Sequence, residues 1–230
     1  GNSGIGLATA QKFKAAGARV ITNARNEQRK SETLASHADL FDAVLIADVA
    51  DLAQQDQFYS AIKSQFGQVD VLFLNAGVAF FEPIDSYAEQ TFDTHFDINV
   101  TGLFFGIQKA LPLLTDGASI LVTTSISNSL ALPGSSAYAA TKAAVRSLVK
   151  TIGAELAPRK IRVNAVSPGP IETPIYGKMP VSDEERNQLA GSILESTPAG
   201  RFGKAEEVAE TVYHIASNEY IYGSEIVVDG

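Results

Sequence analysis

The chain has 230 residues, of which 45% are hydrophobic and 19% charged, enough for one hydrophobic core but too few for two comfortable domains. It contains no cysteine, which excludes thiolate catalysis, disulfides and cysteine-bearing metal sites, and its scattered histidines predict no His-rich metal site. The net charge of -8 would repel a nucleic-acid backbone or an anionic membrane, so neither is expected as a partner. Without a long apolar run or a signal-peptide pattern, a cytoplasmic protein is expected.

Short β-branched runs alternate with longer helical patterns along the chain. Predicted strands cover residues 19–22, 43–47, 69–74, 119–124, 161–167 and 225–228. Predicted helices cover a first segment ending near residue 16, and then residues 27–36, 52–66, 86–114 and 137–156. Apolar strands separated by helices are typical of a parallel sheet covered on both faces, so we expect a doubly wound α/β fold in a single domain over 1–230. The less regular stretch 170–196 is interpreted as a substrate lid.

The residues directly after the predicted strands indicate a ligand site, because ligands of such sheets bind beyond the carboxyl ends of the strands. Gly1-Asn2-Ser3-Gly4-Ile5-Gly6 precedes the first predicted helix and suits a turn that directs backbone N–H groups at a phosphate. Its spacing differs from the usual dinucleotide fingerprint, so a plain turn is an alternative. Asp48-Val49 and Asn75-Ala76-Gly77 follow two later strands. They suit an adenine amino group and a close backbone approach to a ligand, or else a turn or a helix cap.

Tyr138 and Lys142 lie four residues apart in the predicted helix 137–156, so their side chains share one face. A nearby cation favours tyrosinate. We therefore expect the ammonium to lower the pKa of the phenol, provided that the site is partly desolvated. An exposed aromatic ring beside a solvated lysine is the alternative.

Taken together, these motifs resemble those of the short-chain dehydrogenase/reductase family, and the resemblance covers essentially the whole chain. The turn at residues 1–6 resembles the end of the family's Thr-Gly-x-x-x-Gly-x-Gly cofactor turn. Asn75-Ala76-Gly77 resembles its Asn-Asn-Ala-Gly motif, with Leu74 in place of the first Asn. Pro168-Gly169, followed by Ile171 and Thr173, resembles its nicotinamide-contacting segment. The four catalytic positions of the family are matched by Asn99, Ser125, Tyr138 and Lys142.

One departure concerns the sheet. The family's first Gly and its whole first strand have no counterpart in the 230 residues, and the sequence also stops short of the family's usual end. We therefore interpret the sequence as a trimmed segment of a Rossmann-like domain, in which loss of a central strand would strip hydrogen bonds from both neighbours.

The resemblance implies hydride transfer between a nicotinamide cofactor and a ketone or secondary alcohol. Tyr138 would act as general acid or base, and Lys142 would lower its pKa and hold the nicotinamide ribose. Ser125 would bind the substrate oxygen. Asn99 would anchor a water leading from Lys142 towards solvent, or its side chain would repair a helix kink.

The resemblance also assigns residues to the cofactor, and no metal is expected. The segment Asn23-Ala24-Arg25-Asn26 carries no acid for a ribose 2′-OH, and Arg25 suits a 2′-phosphate. NADP is therefore expected, while NAD stays possible because Glu27 is near and a solvated arginine is common at such a place. The implied cofactor-binding residues are Ser3, Gly4, Ile5, Gly6, Arg25, Asp48, Val49, Asn75, Ala76, Gly77, Tyr138, Lys142, Pro168, Gly169, Ile171 and Thr173.

The expected substrate is a small molecule with hydrocarbon bulk, because the implied pocket walls at 78–83, 126–133 and 175–181 are mainly apolar. These walls contain Phe80, Phe81, Leu130, Leu132, Tyr176 and Met179. A homotetramer or homodimer is expected from the small residues of the helix that begins near Tyr138 and from the habit of the family. A non-catalytic dinucleotide sensor on the same fold is the alternative function. A serine hydrolase is disfavoured, because the Gly-x-Ser-x-Gly elbow is absent.

Overall fold

The protein is described by a computed structural model that covers residues 1–173, 191, 195 and 197–230. Most of the expected lid, 170–196, and with it Tyr176 and Met179, lies outside the described residues. The strands described are β1 (Ile21–Ala24), β2 (Ala43–Ile46), β3 (Val69–Leu74), β4 (Leu114–Thr123), β5 (Arg162–Pro168) and β6 (Glu225–Val228). The helices described are α1 (Gly4–Ala15), α2 (Glu27–Ser36), α3 (Leu52–Phe66), α4 (Glu89–Phe96), α5 (Gly102–Ala110), α6 (Ser136–Leu156) and α7 (Ala205–Ser217).

All strand pairs in the described residues are parallel, which places the carboxyl ends of the strands at one edge. Strands β3, β4, β5 and β6 pair in that order, and β1 pairs with β2. Parallel strands need helical crossovers, and these helices cover both faces of the sheet. The expected doubly wound α/β fold is confirmed.

Two apolar clusters attach the helices to the sheet. On one face, α3, α5 and α6 pack on the sheet through a cluster that includes Ile62, Ile107, Val145, Ile120 and Val163. On the opposite face, α7 packs through a second cluster that includes Val208, Val212, Ile215, Leu121 and Val166. Since all ten side chains are buried, the sheet presents continuous apolar surface to both layers, as a parallel sheet requires.

A cavity separates the two sets of strands. It has a volume of about 370 Å³, and residues 21–23 of β1 and 69–74 of β3 line it. Within the described part of the chain, β1 and β3 pair only on their other edges.

The main differences from the sequence expectations concern β1, the predicted helix 86–114 and the start of β4. Strand β1 covers Ile21–Ala24 rather than 19–22, because its register with β2 pairs Ile21 with Ala43 and leaves Val20 at the strand entrance. The predicted helix 86–114 is divided into α4, a π-helical turn at Asp97–Thr101, and α5. Leu114 already belongs to β4, where it pairs with Val69.

In the part of the chain that the structure covers, every helix is too short or too polar to cross a membrane.

Candidate active site

The four residues expected to carry catalysis come from three separate elements. Asn99 lies in the π-helical turn between α4 and α5, and Tyr138 and Lys142 lie in α6. Ser125 follows the end of β4 and begins a short 3₁₀ turn at Ile126–Asn128. The structure brings them together at the carboxyl-end edge of the sheet, where ligands of such folds bind.

The conformation of Ser125 is set by the turn that it begins. Its backbone is extended, and its Oγ accepts the N–H of Ser127 at 3.2 Å. A hydroxyl oxygen at such a position caps the turn, and the hydrogen bond limits the rotation of the Ser125 side chain. The Ser125 Oγ also donates to Ser127 Oγ at 3.2 Å, and the hydroxyl lies near enough to the Tyr138 phenol to lower the pKa of that phenol.

The pKa of Tyr138 moves in the direction opposite to the expectation. Burial of the phenol raises the pKa of Tyr138, and the hydrogen bond with Ser125 lowers it by less. The Lys142 ammonium lies over the ring, with its Nζ 5.8 Å from the ring centroid, and it donates to the carbonyl of Thr123 at 2.8 Å. The expected lowering by Lys142 is therefore wrong for this arrangement, because burial of the phenol, and not the cation, sets the direction of the pKa shift. At neutral pH the phenol carries its proton.

Lys142 is a buried cation with unused donors. Its side chain is 5% exposed, and burial lowers the pKa of Lys142 to about 8. An ammonium has three N–H donors, and among the described residues only the Thr123 carbonyl accepts one. Two N–H donors of Lys142 are therefore left over. Because buried donors usually have partners, these two suit a ligand that carries hydroxyl acceptors.

Both polar atoms of the Asn99 side chain bind the backbone of the segment that follows β3. Its Oδ1 accepts the N–H of Val78, and its Nδ2 donates to the carbonyl of Val78, both at 2.9 Å. Nδ2 also lies 3.1 Å from Thr141 Oγ1. The side chain is 1% exposed and sits inside the π-helical turn. Of the two sequence interpretations, the geometry favours the structural one, in which Asn99 fastens an irregular helix to its neighbour.

The glycine-rich turn meets the end of β3 at close range. Ser3 starts α1 without a side-chain cap, and Gly4 has a φ of +49°, which favours glycine. A Cβ on Gly6 would lie 3.1 Å from the Asn75 side-chain nitrogen. The first-turn N–H groups of a helix have no intrahelical partner. The turn therefore fits a phosphate of a dinucleotide.

The glycine of the Asn75-Ala76-Gly77 motif lies against two of the expected catalytic side chains. A Cβ on Gly77 would lie 3.1 Å from Asn99 Oδ1 and 3.5 Å from Lys142 Nζ. Asn75 in turn accepts a hydrogen bond from Thr123 Oγ1 at 2.9 Å. The absence of a side chain at Gly77 keeps this crevice open.

The residues expected to bind the adenosine part of the cofactor lie in two loops, one after β1 and one after β2. Arg25 follows β1, is exposed, and has no side-chain hydrogen bond or ion pair to any described residue. Asp48 Oδ1 accepts the N–H of Ala50 at 3.0 Å, so this side chain also stabilises the turn in which it lies. The Val49 carbonyl accepts a hydrogen bond from Gln55 at 2.6 Å.

The segment after β5 is anchored rather than free. Pro168 ends β5, and Gly169 donates its N–H to the carbonyl of Val228 at 2.9 Å. The side chain of Ile171 is 4% exposed and packs in the cluster around Leu121, so it is not available to a cofactor. Thr173, the last residue of this part of the described chain, is partly buried.

Three residues that the sequence analysis did not select belong to the site. Thr123 links Asn75 to Lys142, Thr141 contacts Asn99, and His95 holds the segment that passes Tyr138. Thr123 lies two residues before Ser125, and Thr141 directly precedes Lys142. Their positions beside the predicted catalytic residues could have indicated that they belong to the site. His95 lies in a predicted helix and carried no such signal.

Comparison with known proteins agrees with this architecture. A family model described as enoyl-(acyl carrier protein) reductase matches residues 1–230. The chain is 34% identical to 3-oxoacyl-[acyl-carrier-protein] reductase FabG of Thermotoga maritima, over 99% of this chain and 93% of that protein. It is 36% identical to 2-(R)-hydroxypropyl-CoM dehydrogenase of Xanthobacter autotrophicus, over 100% of this chain and 94% of that protein.

Solved structures give the same result. A short-chain dehydrogenase/reductase from Serratia marcescens superimposes with a TM-score of 0.88 at 30% identity, covering 100% of this chain and 94% of that chain. A levodione reductase structure superimposes with a TM-score of 0.89 at 29% identity, covering 100% of this chain and 93% of that chain.

The fold and the comparisons define the class of the protein as an NAD(P)-dependent oxidoreductase. The chain belongs to the short-chain dehydrogenase/reductase family.

Proposed function

We propose that the protein uses NADP to interconvert a ketone that carries apolar bulk and the corresponding secondary alcohol, with Tyr138 as the general acid and base. The observation that carries this proposal is the convergence of Ser125, Tyr138 and Lys142 at one edge of the sheet. The phenol lies near the Ser125 hydroxyl, and the buried Lys142 Nζ lies 5.8 Å from the centroid of its ring. No fourth polar group is needed to move one proton.

The cofactor would be held by groups already described. The first turn of α1 would bind its phosphates, and the unused donors of Lys142 would bind ribose hydroxyls. Gly77 leaves room beside them. When bound, the nicotinamide group supplies or accepts the hydride.

Tyr138 would deliver the proton in the direction of reduction. The substrate carbonyl oxygen accepts hydrogen bonds from Ser125 and Tyr138, which stabilise the negative charge that develops on it. The carbonyl carbon gains the hydride and the oxygen gains the phenol proton. Tyr138 is left as tyrosinate, which the nearby Lys142 ammonium stabilises until solvent returns a proton. In alcohol oxidation the same phenolate removes the hydroxyl proton.

The surroundings of Tyr138 support an apolar substrate. The rings of Phe81 and Tyr138 have centroids 6.1 Å apart. Phe81 and Leu132 also line an adjacent cavity of about 720 Å³, together with Pro83, Ile84 and Pro133. Glu82, Asp85 and Ser136 line the same cavity, and the Glu82 carboxylate accepts hydrogen bonds from the Ala88 N–H and the Thr91 hydroxyl. The relatives named above act, by their names, on a 3-oxoacyl group or a hydroxypropyl group. An apolar carbonyl or alcohol suits such walls.

A panel of ketones tests this function. Acetophenone, 2-octanone and pyruvate would each be mixed with NADPH and, separately, with NADH, while the absorbance of the reduced nicotinamide is followed. We expect NADPH to be consumed with the two apolar ketones and not with charged pyruvate. Unchanged absorbance across a wider set of apolar ketones and secondary alcohols, in a protein that still binds NADPH, would leave the dinucleotide sensor as the better account.

The preference for NADP depends on Arg25. Its exposed guanidinium is free to form a charge-assisted hydrogen bond with a 2′-phosphate, whereas NADH has no such group. We expect Arg25→Ala to raise the Kd for NADPH by roughly tenfold while the Kd for NADH changes little. Fluorescence of the reduced cofactor reports both constants. Arg29→Ala, at an arginine already paired with Glu32, is the matched control. Tighter binding of NADH than of NADPH by the unaltered protein would contradict the preference.

We also infer that the protein assembles as a homodimer or homotetramer. Phe92 on α4 and Phe104 on α5 are exposed by 45% and 39%, and adjacent helices with exposed aromatic rings are typical of protein interfaces. A monomeric mass in light scattering at micromolar concentration would contradict this.

A further inference from the structure

The segment that passes Tyr138 is held at every second residue. Val78 is tied to Asn99 through both of its backbone groups. Phe80 donates its N–H to Nε2 of His95 at 3.0 Å. Glu82 donates its N–H to the carbonyl of Gly134 at 3.0 Å. Phe81 therefore lies between two tied residues, and the centroid of its ring lies 6.1 Å from that of Tyr138. The position of the apolar wall therefore depends on side chains of the neighbouring helical layer.

His95 is the least expected of these anchors. It is fully buried near the end of α4. A backbone N–H can only donate, so the nitrogen that accepts from Phe80, Nε2, carries no proton. The other nitrogen, Nδ1, lies 3.0 Å from the carbonyl of Thr91, which can only accept, so Nδ1 carries the proton. The Tyr87 hydroxyl lies 3.2 Å from the same Nδ1. Burial lowers the pKa of His95, in agreement with a neutral ring.

The ring of His95 also contacts the aromatic side chains of the site. It meets Phe80 edge to face, with centroids 5.3 Å apart, and its centroid lies 6.2 Å from that of Tyr138. Edge-to-face contacts fix the relative orientation of rings. His95 thus holds both the backbone and the ring of Phe80, on the side of the segment next to the phenol.

The geometry points to His95 as a positioning residue of the substrate site. With its proton on Nδ1, the neutral ring fixes the backbone of Phe80 and thereby sets the apolar wall of Phe80 and Phe81 against which a substrate lies beside Tyr138. The inference rests on the proposed function, since it concerns the same site. His95 itself exchanges no proton with the substrate, and its effect passes through Phe80.

Two amide substitutions separate the two nitrogens of the ring. His95→Gln places an amide oxygen near the position of Nε2, where it can accept from Phe80. His95→Asn places its amide near the position of Nδ1, where it can donate to Thr91 but leaves the Phe80 N–H without an acceptor. Both variants keep a polar amide in the same helix, so each serves as the control for the other.

The two variants should differ in substrate binding. For acetophenone or 2-octanone, we expect the KM of His95→Gln to stay within about threefold of the parent protein, because the Phe80 hydrogen bond is retained. His95→Asn should raise KM by roughly tenfold or more, with a smaller change in kcat, because a buried N–H without a partner displaces the wall that binds substrate and transition state alike. A purely structural role of His95 would lower the amount of folded protein without separating KM from kcat.

Two measurements that do not require catalysis test the role of His95 separately from the proposed function. Nitrogen chemical shifts of the His95 ring should show the proton on Nδ1. Hydrogen exchange of the Phe80 amide should be roughly tenfold faster or more in His95→Asn than in His95→Gln. If no ketone is reduced but both results hold, the proposed function fails while the positioning of Phe80 stands. A proton on Nε2, or equal Phe80 exchange and equal KM in the two variants, would overturn the inference.

Discussion

Replacing Tyr138 with Phe is expected to lower kcat/KM for ketone reduction by about 10³-fold, because the substitution removes the only proposed proton donor. The ring, its contact with Phe81 and the helical spacing to Lys142 are all kept. Cofactor binding should therefore be retained, with the Kd for NADPH within about threefold of the parent value. NADPH fluorescence can report it without interference from indole, since the chain contains no tryptophan.

Tyr220→Phe is the matched control for this substitution. Tyr220 is 96% exposed and lies outside the candidate site, so loss of its hydroxyl should leave kcat/KM unchanged. If Tyr138→Phe keeps more than about a tenth of the parent activity, another group supplies the proton. If it loses NADPH binding as well as turnover, its effect is structural and the proposed role is not supported.

Lys142→Met is expected to make the cofactor-free protein more stable and less active. A buried ammonium whose pKa falls from 10.5 to about 8 destabilises the fold at neutral pH, and a neutral side chain of similar length removes that cost. After allowing for the lost hydrogen bond to Thr123, the free energy of unfolding should rise by on the order of 2 kcal/mol. Urea unfolding at pH 7 measures the difference.

The pH dependence of that difference identifies its cause. Between pH 8 and 10.5 the folded protein has released the Lys142 proton while the unfolded chain still binds it. Linkage then makes the parent protein more stable, relative to Lys142→Met, as the pH rises through this window. The advantage of the methionine variant should be complete below about pH 8 and absent near pH 10.5. A pH-independent difference would trace the effect to packing.

Loss of the Lys142 ammonium should also weaken cofactor binding. We expect the Kd for NADPH to rise by at least tenfold in Lys142→Met, because charged donors to the ribose hydroxyls are removed. Lys150→Met, at an exposed lysine two turns further along the same helix, should change stability by less than about 0.5 kcal/mol and leave binding intact. Unchanged NADPH affinity in Lys142→Met would contradict the proposed role.

Local sequence signals were sufficient for much of the fold. Strands 69–74 and 225–228 and helices 27–36 and 52–66 coincide with the structure. Each helix begins where a cap is encoded: Asn26 accepts the N–H of Arg29, and Asp51 accepts those of Ala53 and Gln54. Such caps and the apolar spacing are properties of neighbouring residues, so they can be read without the fold.

The misread elements depend on contacts between distant residues. The predicted helix 86–114 is interrupted at Asn99, whose side chain bonds to Val78, 21 residues earlier. The Tyr138 phenol was expected to be acidic from its spacing to Lys142 in a partly desolvated site. Its pKa instead follows burial by the surrounding chain, which spacing does not encode. His95 was not selected from the sequence, because its partner Phe80 is fixed only by the tertiary fold.

The pH dependence of kcat/KM for NADPH-driven ketone reduction tests the role of the protonated phenol most directly. Because burial raises the pKa of Tyr138 and the pKa of Lys142 is about 8, both groups hold their protons at neutral pH. We expect kcat/KM to be constant from pH 6 to about 7, to fall to about half of that value near pH 8, and to fall further at higher pH as Lys142 loses its charge. A rate of reduction that instead increases with pH over this range would show that the reactive form is deprotonated, and would contradict Tyr138 as the proton donor.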